Sequence, residues 1–319
     1  MPRRGRALLP LVGALAMAWL ATAMPASAAS PRFPNQSLGN RGVDVKAVQG
    51  MLIARGAPIR VDGIFGSSTD AAVRAFQGAQ GLAVNGQADE ATWTALLIRV
   101  DSGSMGESVK ALQRQLNEKR RAGLAVDGIF GASTRAALLA FQRHEGLAPT
   151  GIAGPLTWRY LISAFERPVV GKVCEYGPRV RVADWGTAAA IGQIEAAAVP
   201  VVAAGHGAVA IGDISLEHGG DIAGHQFHER GLEIDVRPMR TDRKQCSFGG
   251  SYRLSTYDRA ATRDLILAIR AAAPGHVRLI YFNDPVLIKE GLTRWYTGHD
   301  DHLHIRYCEK VHPDPLFDC

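Results

Sequence analysis

Apolar and polar positions follow two different periods along the chain, and the change between them falls near residue 164. Before that point apolar residues recur at helical spacing, as in VKALQRQL (109–116), which predicts amphipathic helices. After it, short apolar runs predict strands, and one helix is predicted over 260–273. The predicted strands are 201–204, 208–211, 232–236, 277–282 and 303–307. The pattern therefore predicts a helical region followed by an α+β region.

The helical region contains two copies of one unit. VDGIFGSSTDAAVRAFQGAQGLAVNG (61–86) aligns with VDGIFGASTRAALLAFQRHEGLAPTG (126–151) at a constant offset of 65, which also brings Thr92-Trp93 onto Thr157-Trp158. Asp-Gly and later glycines separate three helical stretches in each copy. The sequence predicts a multidomain fold: two small all-α three-helix modules (37–100 and 101–163) and an α+β domain with an antiparallel sheet (168–319).

The VDGIFG, FQ, GL and TW elements of both copies resemble the peptidoglycan-binding domain 1 family, and they occur in that family's order. The resemblance covers residues 37–163. It implies non-catalytic attachment to the bacterial cell wall, with peptidoglycan glycan and stem peptides as partners. It assigns no wall-contacting residue, and Phe76 and Phe141 are predicted to belong to the core.

Residues 1–28 have the pattern of a secretory signal peptide: a start with three arginines, an apolar run over 7–24, and Ala26-Ser27-Ala28 at the cleavage spacing. The alternative is a retained membrane anchor. No later run is long enough to span a bilayer, so we expect an exported protein of the periplasm or the extracellular wall, without a membrane segment once the signal is removed. The net charge of +6 includes the three signal arginines. No Lys/Arg block is interleaved with aromatics, which argues against nucleic acid as a partner.

The four cysteines are even in number and none lies in a C-x-x-C pair. In an exported chain this predicts two disulfides. A bond between Cys308 and Cys319 would close the C-terminal tail and leave Cys174 with Cys246. The sequence allows three connectivities and does not choose among them.

Two short stretches carry the candidate chemistry, HERGLEID (228–235) and GHDDHLHIRYC (298–308). In the first, apolar residues alternate with polar ones into Asp235, which predicts a strand with Asp235 on one face and His228 on the preceding loop. In the second, His302 and His304 are two apart and would emerge from one face of a strand. Two imidazoles and one carboxylate with an open fourth position form a donor set typical of catalytic zinc.

The run GDISLEHGGDIAGHQFHERGLEIDV, followed by GHDDHLHIR, resembles the penicillin-insensitive murein endopeptidases. More widely it is similar to the zinc peptidases of the lysostaphin, D-Ala-D-Ala peptidase and hedgehog fold group. The resemblance implies one catalytic Zn²⁺. The residues that it implies by position are His228, Asp235 and His304 as ligands, His302 and His299 as catalytic residues, and His225 as a weaker metal candidate. Glu229 and Glu233 depart from the family's usual run but remove no proposed ligand.

The sequence thus predicts an exported zinc metallopeptidase that hydrolyses peptide cross-links in peptidoglycan. One alternative is a D,D-carboxypeptidase, and a second is a wall-binding protein without activity. Carboxypeptidases of the wider fold group use a Glu three residues before the last ligand. Asp301 occupies that position here, which favours the endopeptidase and makes Asp301 a weaker catalytic candidate. The histidines predicted to be ordinary hydrogen-bonded residues are His144, His206, His218, His276 and His312.

Overall fold

We analysed a computed structural model of the chain. It describes residues 31–169, 171, 173–176, 183–222 and 227–319. The predicted signal peptide and the weaker metal candidate His225 lie outside these residues.

Each repeat forms three helices, as the sequence predicts. The first module contains α1 (Val43–Ala54), α2 (Ser67–Ala79) and α3 (Glu90–Leu96), and the second contains α4 (Glu107–Arg120), α5 (Ala132–His144) and α6 (Pro155–Ser163). Helices α1 and α4 pack together, and buried side chains of both modules join in one apolar core. Trp93 and Trp158 are fully buried there. The two modules therefore share one core, whereas a module of about 60 residues on its own would be only marginally stable.

A buried glutamine explains much of the repeated VDGIFG motif. Gln113 Nε2 donates to Asp127 Oδ1 at 2.7 Å and to Thr134 Oγ1 at 3.2 Å, and Gln113 Oε1 accepts from the Gly128 amide at 2.9 Å. In the first module Gln49 makes the equivalent bonds to 62–69. The repeated Asp, Gly and Thr thus hold the turn to the first helix of each module, which is an internal structural role.

The C-terminal region is built on one five-stranded sheet. Its strands are β1 (Val173–Glu175), β2 (Val209–Ile211), β3 (Glu233–Val236), β4 (Val277–Tyr281) and β5 (Leu303–Tyr307). The spatial order is β1-β2-β3-β5-β4. Strands β1 and β2 are parallel and the other pairs are antiparallel, so the sheet is mixed where the sequence predicted an antiparallel one.

Two helices of this region, α7 (Ala188–Ala203) and α8 (Arg259–Ala272), pack against each other, and α9 (Pro285–Lys289) is short. The strand predicted over 201–204 is wrong, because α7 extends to Ala203. The alanine-rich segment has high helix propensity, Thr187 accepts a capping bond from the Ala190 amide, and Pro200 does not end the helix. Helix α7 buries an apolar face in the domain's core.

Both disulfides join the pairs named from the sequence, Cys174 with Cys246 and Cys308 with Cys319. The first ties β1 to the segment after β3, and the second closes the C-terminal tail. Within the described residues, no helix has the length and apolar character needed to cross a bilayer.

The modules pack directly on the sheet domain. Helix α1 contacts α7, and at that contact the Gly42 and Gly192 backbones are so close that a Cβ on Gly192 would lie 2.7 Å from the Gly42 Cα. Arg41 Nε donates to the Ala272 carbonyl at 2.8 Å, and Arg32 forms a 2.7 Å ion pair with buried Glu309. Residues 31–319 accordingly form one compact unit.

Candidate metal centre

Strands β3 and β5 bring two of the predicted ligands face to face. In their antiparallel register Asp235 lies opposite His304, and Asp235 Oδ1 is 3.0 Å from His304 Nδ1. His228 lies on the loop before β3 with a φ of 76°, which is strained for a residue with a side chain. In this conformation, His228 Nε2 lies 3.3 Å from the same oxygen, Asp235 Oδ1.

The three donor atoms fit a zinc ion. All three lie within 4.8 Å of one another and all three residues are buried. Ligand atoms around tetrahedral zinc are separated by roughly 3.3 Å when the bonds have their usual length of about 2.0 Å, close to the two distances from Asp235. The set of two imidazoles and one carboxylate is that of an open, catalytic zinc site.

Partners behind the ligands fix which nitrogen faces the centre. His228 Nδ1 donates to the Ile214 carbonyl at 2.8 Å, which leaves Nε2 as the donor atom toward a metal. His304 Nε2 lies 3.3 Å from Glu233 Oε1, which leaves Nδ1 as the donor atom toward a metal. Such outer contacts orient metal-binding imidazoles and raise their basicity.

Glu233 belongs to this site in the structure, although the sequence does not assign it a role. It is fully buried, accepts from Arg306 Nε at 2.5 Å, and also accepts from the His228 amide. It therefore contacts both the backbone of one ligand and the ring of another. The alternation of polar residues already places Glu233 on the Asp235 face of β3, which is the signal that points to it.

The electrostatics of the centre favour a positive charge. Burial alone would raise the pKa of Asp235, but the charge of His228 and hydrogen bonds from His228 and His304 hold it well below its ordinary value. Burial alone would lower the pKa of His304, but hydrogen bonds to Asp235 and Glu233 raise it to about 9. Two buried carboxylates, of which Glu233 is also paired with Arg306, thus favour a positive charge at this place.

His302 precedes β5, which begins at Leu303, so it does not share a strand with His304 as the sequence analysis assumed. Its Nε2 still lies 3.7 Å from Asp235 Oδ1, and its Nδ1 donates to Asp301 Oδ1 at 2.8 Å. Asp301 lies on the loop before the strand, where its carboxylate orients the His302 ring.

His299 lies beside His302, with ring centroids 4.7 Å apart. Its Nδ1 donates to the Thr297 carbonyl at 2.9 Å, so its Nε2 carries a lone pair in the neutral ring. Burial, followed by the charge of His302, lowers the pKa of His299 to about 4. His299 is therefore neutral near neutral pH and can accept a hydrogen bond at Nε2.

A small cavity of about 160 Å³ opens next to the centre, and its lining residues are Tyr176, Asp213, Asp235, Arg237, Gly249, Gly250, Asp301 and His302. The Arg237 guanidinium stacks on the Tyr176 ring at 3.8 Å and donates to the Gln245 carbonyl at 2.9 Å. Arg237 is the arginine of this cavity, and it shares the lining with three carboxylates, those of Asp213, Asp235 and Asp301.

The other histidines divide into two kinds. His206 pairs with Asp264 at 3.1 Å, and His276 is buried between the Leu38 and Cys308 carbonyls, as expected of ordinary residues. His144 and His218, by contrast, lie together with Glu217, and a donor atom from each falls within 4.8 Å of the others.

Comparisons with known proteins agree with the modular layout. Residues 41–96 and 105–161 each match the family described as putative peptidoglycan binding domain. The N-acetylmuramoyl-L-alanine amidase CwlM of Mycobacterium tuberculosis is 39% identical over 110 residues, covering 31% of this chain and 27% of that protein. The zinc D-Ala-D-Ala carboxypeptidase of Streptomyces albus G is 45% identical over 69 residues, covering 21% of this chain and 26% of that protein.

The crystal structure of a Burkholderia AP3 phage endolysin is 33% identical, covers 34% of this chain and 38% of that one, and has a TM-score of 0.20. The chain spans about a quarter of the length of the two enzymes above. The matches support a peptidoglycan-binding protein related to cell-wall hydrolases.

Proposed function

We propose that the protein is an exported zinc-dependent peptidase that hydrolyses peptide cross-links in bacterial peptidoglycan and is held at the wall by its tandem modules. The observation that carries the proposal is the convergence of His228, Asp235 and His304 in one buried donor set. The proposal also draws on the two peptidoglycan-binding family matches.

When bound, zinc would supply a Lewis acid that polarises the scissile carbonyl and lowers the pKa of water. His228 Nε2, Asp235 Oδ1 and His304 Nδ1 would hold it. The Ile214 carbonyl and Glu233 keep the two imidazoles in the required orientation. The strained His228 backbone suits a ligand position, because such strain persists where the surrounding structure imposes it.

His302 is the best candidate for proton transfer. Its Nδ1–H is held by Asp301, so its Nε2 faces the centre and can take a proton and return it to the leaving amine. His299 has its Nδ1–H occupied by Thr297, so its neutral ring offers a lone pair but no second proton. We therefore assign His302 the acid/base role and His299 the role of accepting a hydrogen bond beside it.

Arg237 lines the cavity together with three carboxylates, and its guanidinium is the group there that would bind a free carboxylate next to the scissile bond. Such a carboxylate is present both at the end of a stem peptide and on a diamino acid within a cross-link. A D,D-carboxypeptidase is therefore the second candidate function, supported by the same residue.

The deciding experiment is digestion of purified cross-linked sacculi, with products separated by chromatography and identified by mass spectrometry. We expect cross-linked dimers to be converted to monomers by the chain without its signal segment. A chelator should abolish the conversion, added zinc should restore it, and His304→Ala should be inactive. The matched control is His206→Ala, which removes a half-buried histidine outside the donor set and should be fully active.

The other outcomes are equally definite. Release of terminal D-Ala alone would establish the carboxypeptidase instead. Binding to sacculi without release of any peptide, with zinc bound, would show that the sheet domain only binds. A soluble peptide substrate, prepared with its carboxylate free or amidated, would test whether Arg237 binds that carboxylate. Arg237→Ala should raise KM about tenfold or more for the peptide with the free carboxylate and leave KM for the amidated peptide unchanged.

A further inference from the structure

Two histidines and a carboxylate from distant parts of the chain meet where the second module faces the sheet domain. His144 is the last residue of α5, whereas Glu217 and His218 follow β2 in the sheet domain. His144 Nε2 is 2.9 Å from Glu217 Oε1, and the His144 and His218 ring centroids are 6.0 Å apart. One donor atom from each residue falls within 4.8 Å of the other two.

We propose that His144, Glu217 and His218 form a second divalent-cation site, suited to Zn²⁺, that joins the second module to the sheet domain. We call it the junction site. It has the same donor set as the catalytic centre, two imidazoles and one carboxylate. The junction site lies at the surface, so water can complete the coordination. The proposal goes beyond the peptidase activity and does not depend on it.

Acidic and basic side chains both surround the junction site, and Lys119, Arg121 and Arg167 line the same pocket as His144 and Glu217. Arg120 binds Glu217 Oε1 at 2.5 Å and also pairs with Glu145. Glu145 Oε1 lies 4.0 Å from His144 Nε2, so a second carboxylate lies beside this imidazole. An arginine behind a ligating carboxylate is an ordinary outer contact of metal sites.

Glu217 is in the right protonation state for a ligand. Burial alone would raise its pKa, but the charge of Arg120 and hydrogen bonds from Arg120 and His144 lower it below the ordinary value. The carboxylate is therefore ionised near neutral pH, as a metal ligand must be.

The turn that carries Glu217 and His218 is well supported. The Gly219 amide donates to the Leu216 carbonyl and the Gly220 amide donates to the Glu229 carbonyl, both at 3.0 Å. Gly219 has a φ of 73°, and a Cβ there would lie 2.5 Å from the Glu229 carbonyl oxygen. Since Glu229 follows His228, an ion at the junction site would tie the second module to the loop that carries a catalytic ligand.

The test is zinc binding by chains that lack the catalytic pair. The His228→Ala/His304→Ala variant, stripped with chelator and titrated with zinc chloride, is followed by calorimetry and by metal analysis. We expect it to bind one zinc ion. Adding His144→Ala or His218→Ala should weaken that binding by at least about tenfold, because even outer-contact changes cost about 10–100-fold. Adding His206→Ala is the control and should change nothing.

A second measurement does not rely on stoichiometry. In the same variant, zinc should slow hydrogen exchange at the Gly219 and Gly220 amides, and His144→Ala should remove that effect. The proposal is overturned if the His228→Ala/His304→Ala variant binds no zinc, or if His144→Ala and His218→Ala both leave its zinc binding unchanged. Loss of peptidase activity alone affects only the proposed function, so the two failures are distinguishable.

Discussion

Glu233 shows how one buried side chain can serve two ligands. One oxygen lies against the His304 ring and Arg306, and the other accepts from the His228 amide. Burial alone would raise the pKa of Glu233, but the hydrogen bond and charge of His304 and the charge of Arg306 lower it. The carboxylate therefore stays ionised and keeps a proton on His304 Nε2, which frees Nδ1 for a metal.

We expect Glu233→Gln to weaken zinc binding about 10–100-fold while the fold is kept, because the amide has the same shape without the charge. Competition with a chromophoric chelator measures the affinity, and circular dichroism checks the fold. Glu309→Gln is the matched control, since Glu309 is a buried glutamate of the same domain paired with Arg32 instead. Equal zinc affinity in Glu233→Gln and the unmodified chain would contradict the role.

At the scale of elements, the repeated motif and the alternating strand pattern were the most informative parts of the sequence. The alternation through 232–236 predicted β3, and the 303–307 run predicted β5, so the placement of Asp235 opposite His304 follows from two strands that pair. The predicted run 303–307 matches β5, and only the assumption that the strand reaches back to His302 failed, because HDDH has no alternation to define it. The sequence also hid α7, since VPVV at its end has the composition of a strand.

The buried glutamines of the modules allow a prediction at this scale. Gln113→Ala leaves the buried Gly128 amide without its partner and removes one hydrogen bond each from Asp127 and Thr134, which keep their bonds to Ile129. An unsatisfied buried group costs about 1–3 kcal/mol. We expect a loss of that order in the free energy of unfolding, measured by urea denaturation. Gln80→Ala, which changes an exposed glutamine, should lose far less. Equal stabilities of the two variants would show that the Gln113 bonds contribute nothing.

At the scale of the whole molecule, buried charged groups from three parts of the chain interact: the first module, the second module and the segment that leads to the sheet domain. Lys119 of the second module pairs with Asp44 of the first at 2.9 Å, with both side chains buried. Glu166, in the segment that leads to the sheet domain, is also buried. Burial, opposed by the charge of Lys119 and reinforced by that of Asp44, raises the pKa of Glu166 to about 8.

This shift predicts a pH dependence of stability. Glu166 holds its proton in the folded chain up to about pH 8, whereas in the unfolded chain it loses it near the ordinary pKa of about 4.3. The free energy of unfolding should therefore fall as pH rises through this window, by at most about 1.4 kcal/mol per pH unit. Glu166→Gln should remove that component.

Calorimetric melting at pH 5, 6.5 and 8 would test this dependence. The melting temperature of the unmodified chain should fall relative to that of Glu166→Gln as pH rises. The curve of Glu290→Gln, a change at an exposed glutamate, should run parallel to that of the unmodified chain. Parallel curves for the unmodified chain and Glu166→Gln would refute the shifted pKa.

The contact between α1 and α7 has a consequence for how such an enzyme would work along a polymer. Two domains joined by a flexible linker search a volume, and the linker length sets the local concentration of one near the other. Here the Gly42 and Gly192 backbones meet directly, so no such search takes place. With the modules bound to the wall, the proposed catalytic centre would stand at a set distance from them. Under the proposed function, bonds at that distance would be cut, and neighbouring bonds would be spared until the protein dissociates and rebinds.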